Sequence, residues 1–248
     1  MSGHSKWHSI KHKKALIDAK RGKMFTKVIK ELQIAARLGG SDPGANPRLR
    51  TAIQAAKDSN MPKDTMDRAI KKGAGELAGQ AIEAMVYEGY GAAGVAIMVE
   101  VSTDNRNRAA SEVRHAFTKY GGNLGQTGCV SYLFERKGVI ELEHPSDDKV
   151  MEAALDAGAE DVSSEEGYHE ITTGPDDVQT VRDALEAAGL KVTISSVKQI
   201  PSTRVELSVD DARSVMRLIE KLEELDDVDE VYTNMDMSEE VAAAVGAS

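Results

Sequence analysis

Apolar positions change their spacing once along this chain, and the change divides it. Through residues 11–72 they recur every three or four positions, the period of helices that bury one stripe. Winding residues 22–38 as a helix places Phe25, Ile29, Leu32 and Ala36 on one face, flanked by Met24, Val28 and Ala35. Lys23, Lys27, Lys30 and Arg37 then fall within an arc of roughly 80° on the opposite side, a cationic ridge. Gly39-Gly40 followed by Ser41-Asp42-Pro43-Gly44 predicts a stop and a loop. Asn46 is placed to cap a second helix with Pro47 at its first position and Leu49, Ala52, Ile53 and Ala56 in its buried stripe. A third opens at Pro62, turns Met66, Ala69 and Ile70 inward, and carries Lys63 and Arg68. It ends at Lys71-Lys72-Gly73, read as a basic last turn before a glycine stop.

From Ile82 the period falls to two. Strands are expected at 95–101 and 130–134, with a helix at 106–120 between them. Residues 138–143, 160–164, 169–173 and 191–200 read as strands, and 147–157 and 176–188 as helices, which completes a β-α-β-β-α-β set in the ferredoxin-like order. A strand at 203–209, a helix at 210–224 and a strand at 228–233 remain, and they are what the earlier β-α-β unit lacks. The expected fold is therefore α+β with three domains: an N-terminal helical domain and two ferredoxin-like α/β domains, one inserted into the other. Their boundaries are read as 1–75, then 80–135 with 202–238, and 136–201 as the insertion. Residues 238–248 are small and polar enough for a weakly ordered tail, with a helical turn available at 241–245.

Charge divides the chain more sharply than overall composition does. Residues 1–72 hold 17 Lys and Arg against 6 Asp and Glu, net +11, and residues 73–248 hold 14 against 35, net −21, which sum to the chain's −10. A basic end on an acidic body directs a polyanion to that end. Upstream of the ridge, Lys6, Lys11, Lys13 and Lys14 extend the positive charge and enclose Trp7. Lysine and arginine would neutralise phosphates there, while Trp7 would either stack on a base or ribose or pin the N-terminal arm to the helical core. Engagement of ~6 phosphates would weaken binding about a thousandfold between about 50 and 200 mM salt.

Other chemistry is excluded or reduced. The single Cys129 rules out an internal disulfide and a cysteine-based zinc cluster, and a reduced, cytoplasmic setting is expected. No run approaches the ~18 apolar residues of a membrane span, and the basic N-terminus has no apolar segment after it. His4, His8 and His12 recur at four-residue spacing, but Gly3 and the serines oppose a helix there, so no metal is assigned. Gly121-Gly122-Asn123-Leu124-Gly125 lacks a phosphate-loop lysine and reads as a turn, and His115 stands alone on a helix. No catalytic constellation, cofactor or small-molecule substrate follows.

Two words remain. Glu88-Gly89-Tyr90-Gly91 is one. In the other, Thr103-Asp104-Asn105-Arg106-Asn107-Arg108, Asp104 or Asn105 can cap the next helix while Arg106 and Arg108 sit in its first turn, where the helix dipole disfavours cations. Tyr90, Asp104, Asn105, Arg106 and Arg108 are accordingly candidates for a partner or phosphate contact, against structural pairing of the arginines with Glu88, Glu100 or Glu112.

With Gly3-His4-Ser5-Lys6-Trp7 and Ile10-Lys11, Tyr87 through Gly91, Thr103 through Arg108, Gly121-Gly122-Asn123-Leu124 and Cys129-Val130-Ser131-Tyr132-Leu133-Phe134, the chain resembles the YebC/PmpR family. It departs at Gly91-Ala92-Ala93-Gly94, where a more rigid Gly-Pro-containing loop is expected. The resemblance implies three domains and a cytoplasmic, non-enzymatic regulator of gene expression. It offers two modes of action: DNA-binding transcriptional regulation, or translation, as in the mitochondrial relatives. The expected partner is nucleic acid, DNA or ribosomal RNA, in company with the transcription machinery or the ribosome. No base-reading helix accompanies it, because the exposed positions of 22–38 are mainly lysine and arginine, which contact phosphate without reading sequence.

Overall fold

The computed structural model describes residues 17–78, 81–144, 146–165 and 167–246. They form two compact units, one of residues 80–135 and 201–248 with the chain up to Lys27, the other of residues 28–79 and 136–200.

Three helices open the described chain: α1 (Ile17–Gly39), α2 (Pro47–Asp58) and α3 (Lys63–Gly73). Helix α1 stops where Gly40 enters the left-handed region at φ 86° and returns its amide to the Ala36 carbonyl. Buried Asn46 serves two helices at once. Its Oδ1 accepts from the Leu49 amide at 3.0 Å at the start of α2, and its Nδ2 donates to the Ala35 and Gly40 carbonyls at 2.8 Å at the end of α1. Leu32, Ala35, Ala36, Leu49, Ala52, Ala56, Met61 and Ala69 are buried. Helix α3 ends at Gly73, its last residue, as the sequence predicts. A Cβ there would sit 2.2 Å from the Gln33 carbonyl oxygen, so the glycine lets α3 close onto the backbone of α1.

In the same unit, β4 (Phe134–Glu143), α5 (Asp147–Asp156), β5 (Asp161–Glu165), β6 (Tyr168–Thr173), α6 (Val178–Ala187) and β7 (Val192–Pro201) give a sheet of order β5-β6-β4-β7. That is the expected ferredoxin-like order. Ile140, Leu142, Ile171, Val150, Ala154, Val181 and Leu185 fill the space between sheet and helices. Strand β4 runs unbroken through Gly138, whose absent Cβ makes room for Thr173 Oγ1 and Val178 Cγ2. On β4, buried Glu141 accepts from Lys198 at 2.7 Å, and the Tyr168 phenol is held protonated first by its own burial and then by its hydrogen bond to Glu141.

The other unit is built on β1 (Glu83–Tyr90) and β2 (Ala96–Thr103), paired antiparallel from Glu83↔Thr103 to Tyr90↔Ala96. Helix α4 (Arg106–Lys119) crosses from β2 to a two-residue strand, β3 (Asn123–Leu124), on the far side of β1. After residue 200 come β8 (Val205–Glu206), α7 (Val209–Glu223), β9 (Val228–Thr233), β10 (Met235–Asp236) and α8 (Glu239–Gly246). Strand β9 joins the other edge of β2, giving the order β3-β1-β2-β9. This is the ferredoxin-like layout of four antiparallel strands, wired so that one helix and its strand arrive from the far end of the chain. Ile97, Val99 and Val101 of β2, with Val95 just before it, pack into the layer formed by α4 and α7.

Three expectations change here. The strand expected at 130–134 is a short 3-10 turn, Ser131–Leu133, and the sheet takes β3 in its place. The strand expected at 203–209 shrinks to β8, which pairs in parallel with β10 apart from the main sheet. The tail forms α8, whose Val241 and Val245 pack on the core while Ala242 is buried.

Candidate nucleic-acid interface

The cations assigned to the basic end divide into three groups. Lys6, Trp7, Lys11, Lys13 and Lys14, with His4, His8 and His12, lie outside the described residues, as does the side chain of Lys23. On α1, the Lys27 ammonium donates to the Asp229 carbonyl, Lys30 is half-buried, and Arg37 is exposed. Lys30 and Arg37 each have an interaction partner. Ile34, which falls in the middle of the ridge arc, is only 2% exposed. The ridge is therefore interrupted, since a helix packed on more than one side buries whatever lies at the second contact. Gln33 and Ile34 are both buried beside Leu32, Ala35 and Ala36.

The open cations lie farther along. Arg48 forks onto Glu31 at 2.7 and 2.9 Å, and Arg50 donates to the Pro43 and Gly44 carbonyls, so both serve the fold. Lys57 at the end of α2 and Lys63, Arg68 and Lys71 on α3 are exposed, Lys72 is half-buried, and none of the five has a partner among the described residues. Helix α3 presents Lys63, Arg68 and Lys71 because Met66, Ala69 and Ile70 take its inner face. Lys71 and Lys72 in its last turn also complement the helix dipole.

The Thr103–Arg108 word forms a clamp in the other unit. Asn105 Oδ1 caps α4 by accepting from the Arg108 amide at 3.1 Å. The Arg108 guanidinium bonds Asp227 Oδ2 at 2.7 and 3.1 Å and Asp104 Oδ1 at 3.0 Å. Buried Asp227 also accepts from the Thr103 hydroxyl at 2.9 Å, and Arg108 is held protonated chiefly by its hydrogen bonds to Asp227 and Asp104. The clamp ties the end of β2 to the turn before β9. Arg106 is largely exposed and approaches Glu83 at 3.5 Å. Tyr90 turns its hydroxyl inward, donating to the Cys129 carbonyl at 2.8 Å.

Sequence reasoning missed the role of Glu88. This carboxylate is 4% exposed and accepts three backbone amides at 2.8 Å, those of Gly128, Val130 and Ser131. Burial pushes its pKa up, but the amide bonds outweigh that and hold it below the usual 4.5. The signal available was a glutamate in a strand facing apolar neighbours. Its partners, however, are main-chain groups, which leave no mark on residue type.

Comparison with known proteins decides the family. A family model described as the TACO1/YebC protein N-terminal domain matches residues 5–76, and one described as the TACO1/YebC second and third domain matches residues 82–235. The chain belongs to the TACO1/YebC family. A relative from Tolumonas auensis is 57% identical over 246 residues, covering 99% of this chain and 100% of its own. One from Aeromonas hydrophila is 56% identical over the same shares. Both are called probable transcriptional regulatory proteins. The crystal structure of a conserved hypothetical protein from Aquifex aeolicus superposes with a TM-score of 0.84 at 51% identity, over 93% of this chain and 96% of that one. The TACO1/YebC assignment agrees with the resemblance carried by the sequence words and with the multi-domain α+β fold. Among the described residues no group of three His, Cys, Asp or Glu could hold a metal ion, and no helix is long and apolar enough to cross a membrane.

Proposed function

We propose that the protein regulates gene expression by binding nucleic acid through its phosphate backbone, using the basic N-terminal region and the exposed end of α3. The observation that carries this reading is the charge division, net +11 in residues 1–72 against −21 in the remainder. The unpartnered Lys57, Lys63, Arg68 and Lys71 support it, because cations that the fold does not use lie where the polyanion would be directed. The names of the relatives favour transcriptional regulation, for which the polyanion would be DNA. The division into residues 1–75, 80–135 with 202–238, and 136–201 is our working description of the domains, with the first as the nucleic-acid-binding part.

Binding of this kind reads charge and backbone shape, and base identity enters little. Replacing Lys63, Arg68 and Lys71 together by glutamate is expected to weaken binding to duplex DNA and to structured RNA alike, with the thermal midpoint within a few degrees of the parent. Unchanged affinity in the folded triple variant overturns the proposal. Sedimentation of gently prepared lysate then separates the two modes of regulation. DNase-sensitive association with DNA marks a transcriptional regulator, whereas co-migration with ribosomes that survives DNase and is lost at high salt marks a translation factor.

A further inference from the structure

Tyr132 is the one exposed aromatic side chain among the described residues, with 72% of its surface open. Folding does not account for that exposure, because Val130 and Phe134 on either side are buried against the outer face of the β1-β2-β9 sheet with Ala96, Met98 and Tyr232. The segment carrying the ring is fixed. Glu88 gathers its amides from Gly128 to Ser131, and Tyr90 donates to the Cys129 carbonyl. The Ser202 amide and hydroxyl both bond the Leu133 carbonyl, at 2.8 and 3.0 Å. A ring carried on a fixed backbone loses less freedom when a partner covers it than one on a mobile loop.

The run of chain that carries the ring has an unusual composition for this part of the protein. Residues 119–134 contain no Asp or Glu, within a stretch from residue 73 onward of net −21. Glu88 is turned into the loop, and the next carboxylate, Glu135, already has a partner. Gln126 and Thr127 are exposed on the same loop. Thr203 and Arg204, also exposed, follow the Ser202 that is bonded to Leu133, and Arg204 has no partner among the described residues.

We propose that Tyr132 is a stacking platform for an unpaired base of single-stranded RNA, with Arg204 reaching the adjoining phosphate. An exposed ring on a rigid support accepts any base face, and a neighbouring guanidinium neutralises the backbone that the acidic surroundings repel. The amide of Gln126 and the hydroxyls of Thr127 and Thr203 can partner the ribose 2′-hydroxyl, which DNA lacks. A protein partner would need no gap in the acidic surface, so the local charge favours the polyanion. This proposal rests on the nucleic-acid reading above but places a second contact on the α/β part of the chain.

The test uses the full chain and fluorescein-labelled 12-residue oligouridylate and oligoadenylate, with the DNA counterparts and an RNA duplex as controls. Tyr132→Ala is expected to weaken binding of the single-stranded RNAs about tenfold, with duplex binding and the salt slope unchanged, because no charge is removed. Tyr132→Phe keeps the ring and is expected to bind as the parent does. Affinity of folded Tyr132→Ala equal to the parent's overturns the proposal, and an equal loss on DNA and RNA single strands overturns its choice of RNA. Placing the photocrosslinker p-benzoylphenylalanine at position 132 in cells is expected to give a product that ribonuclease shortens; a product of polypeptide alone overturns the proposal in favour of a protein partner. Failure of the general nucleic-acid reading is seen separately, as duplex binding insensitive to Lys63, Arg68 and Lys71.

Discussion

Glu88 and Arg108 illustrate how charged side chains that resemble binding residues can be absorbed by the fold. Three amide bonds to one buried carboxylate lower its pKa, and the sign of the stability effect follows. The contribution is fully present above the ordinary value of 4.5 and is lost as pH falls through the lower folded-state value. Glu88→Gln should lose about 1.5–3 kcal/mol at neutral pH and should lack that acid-side dependence, as read by urea unfolding at pH 7 and at pH 3 to 4. Arg108 offers a second case. Arg108→Ala would leave buried Asp227 with the Thr103 hydroxyl as its remaining side-chain donor identified, and should cost about 1–3 kcal/mol of stability. Nucleic-acid affinity should be unchanged in a folded Arg108→Ala protein, and a loss of affinity there would return the residue to the phosphate-contact role considered from sequence. The word itself was legible, since Asn105 caps the helix as its position predicts. The partner was not, because Asp227 lies 119 residues away and nothing in the local spacing points to it.

At the scale of elements, the periodic segments were readable and the short or edge ones were not. Helix α7 and strand β9 stand within a residue of their expected bounds because each presents a strong single-face pattern. Strand β1 was missed, although the change of period at Ile82 announced it, since Glu83, Ala84 and Val86 in its first half are exposed and only Met85 there reaches the core. Residues 130–133 looked like a strand because Val, Tyr and Leu favour one, and they curl instead because Glu88 draws successive amides toward one point. Gly73 carries a prediction at this scale. Gly73→Ala removes a helix-weakening glycine, worth about 1 kcal/mol on propensity alone, but places a methyl within the contact radius of the α1 backbone. The clash involves main chain on both sides and has no side chain to swing away, so the substitution should destabilise by about 1–3 kcal/mol. A raised thermal midpoint for Gly73→Ala would show that α3 can move off Gln33 without loss. Lys198→Met tests the corresponding point in the inserted sheet. Removing the ammonium leaves Glu141 buried with the Tyr168 hydroxyl as its remaining donor identified, at a cost of about 3–5 kcal/mol in urea unfolding.

For the whole molecule, the charge division was the most informative single reading of the sequence, and the fold relocates its effect. Residues 17–73 hold 13 Lys and Arg against 6 Asp and Glu, net +7, but several of those cations are bonded to carboxylates or carbonyls. Counting charge along the chain therefore overstates how many phosphates α1 and α2 can engage. Two sets of substitutions separate the ridge from the open end of α3. Lys63, Arg68 and Lys71 changed to glutamine should each remove about one phosphate contact, lowering the slope of log affinity against log salt by about 0.9 per residue on duplex DNA. Stability should be nearly unaffected, since none of the three has a partner to lose among the described residues. Lys27→Gln gives the opposite expectation, because its ammonium already donates to the Asp229 carbonyl: a measurable loss of stability with the salt slope unchanged. If the slope instead falls with Lys27 and holds with the three α3 positions, the phosphate-binding surface is the ridge of α1, and the bond to Asp229 opens when nucleic acid arrives.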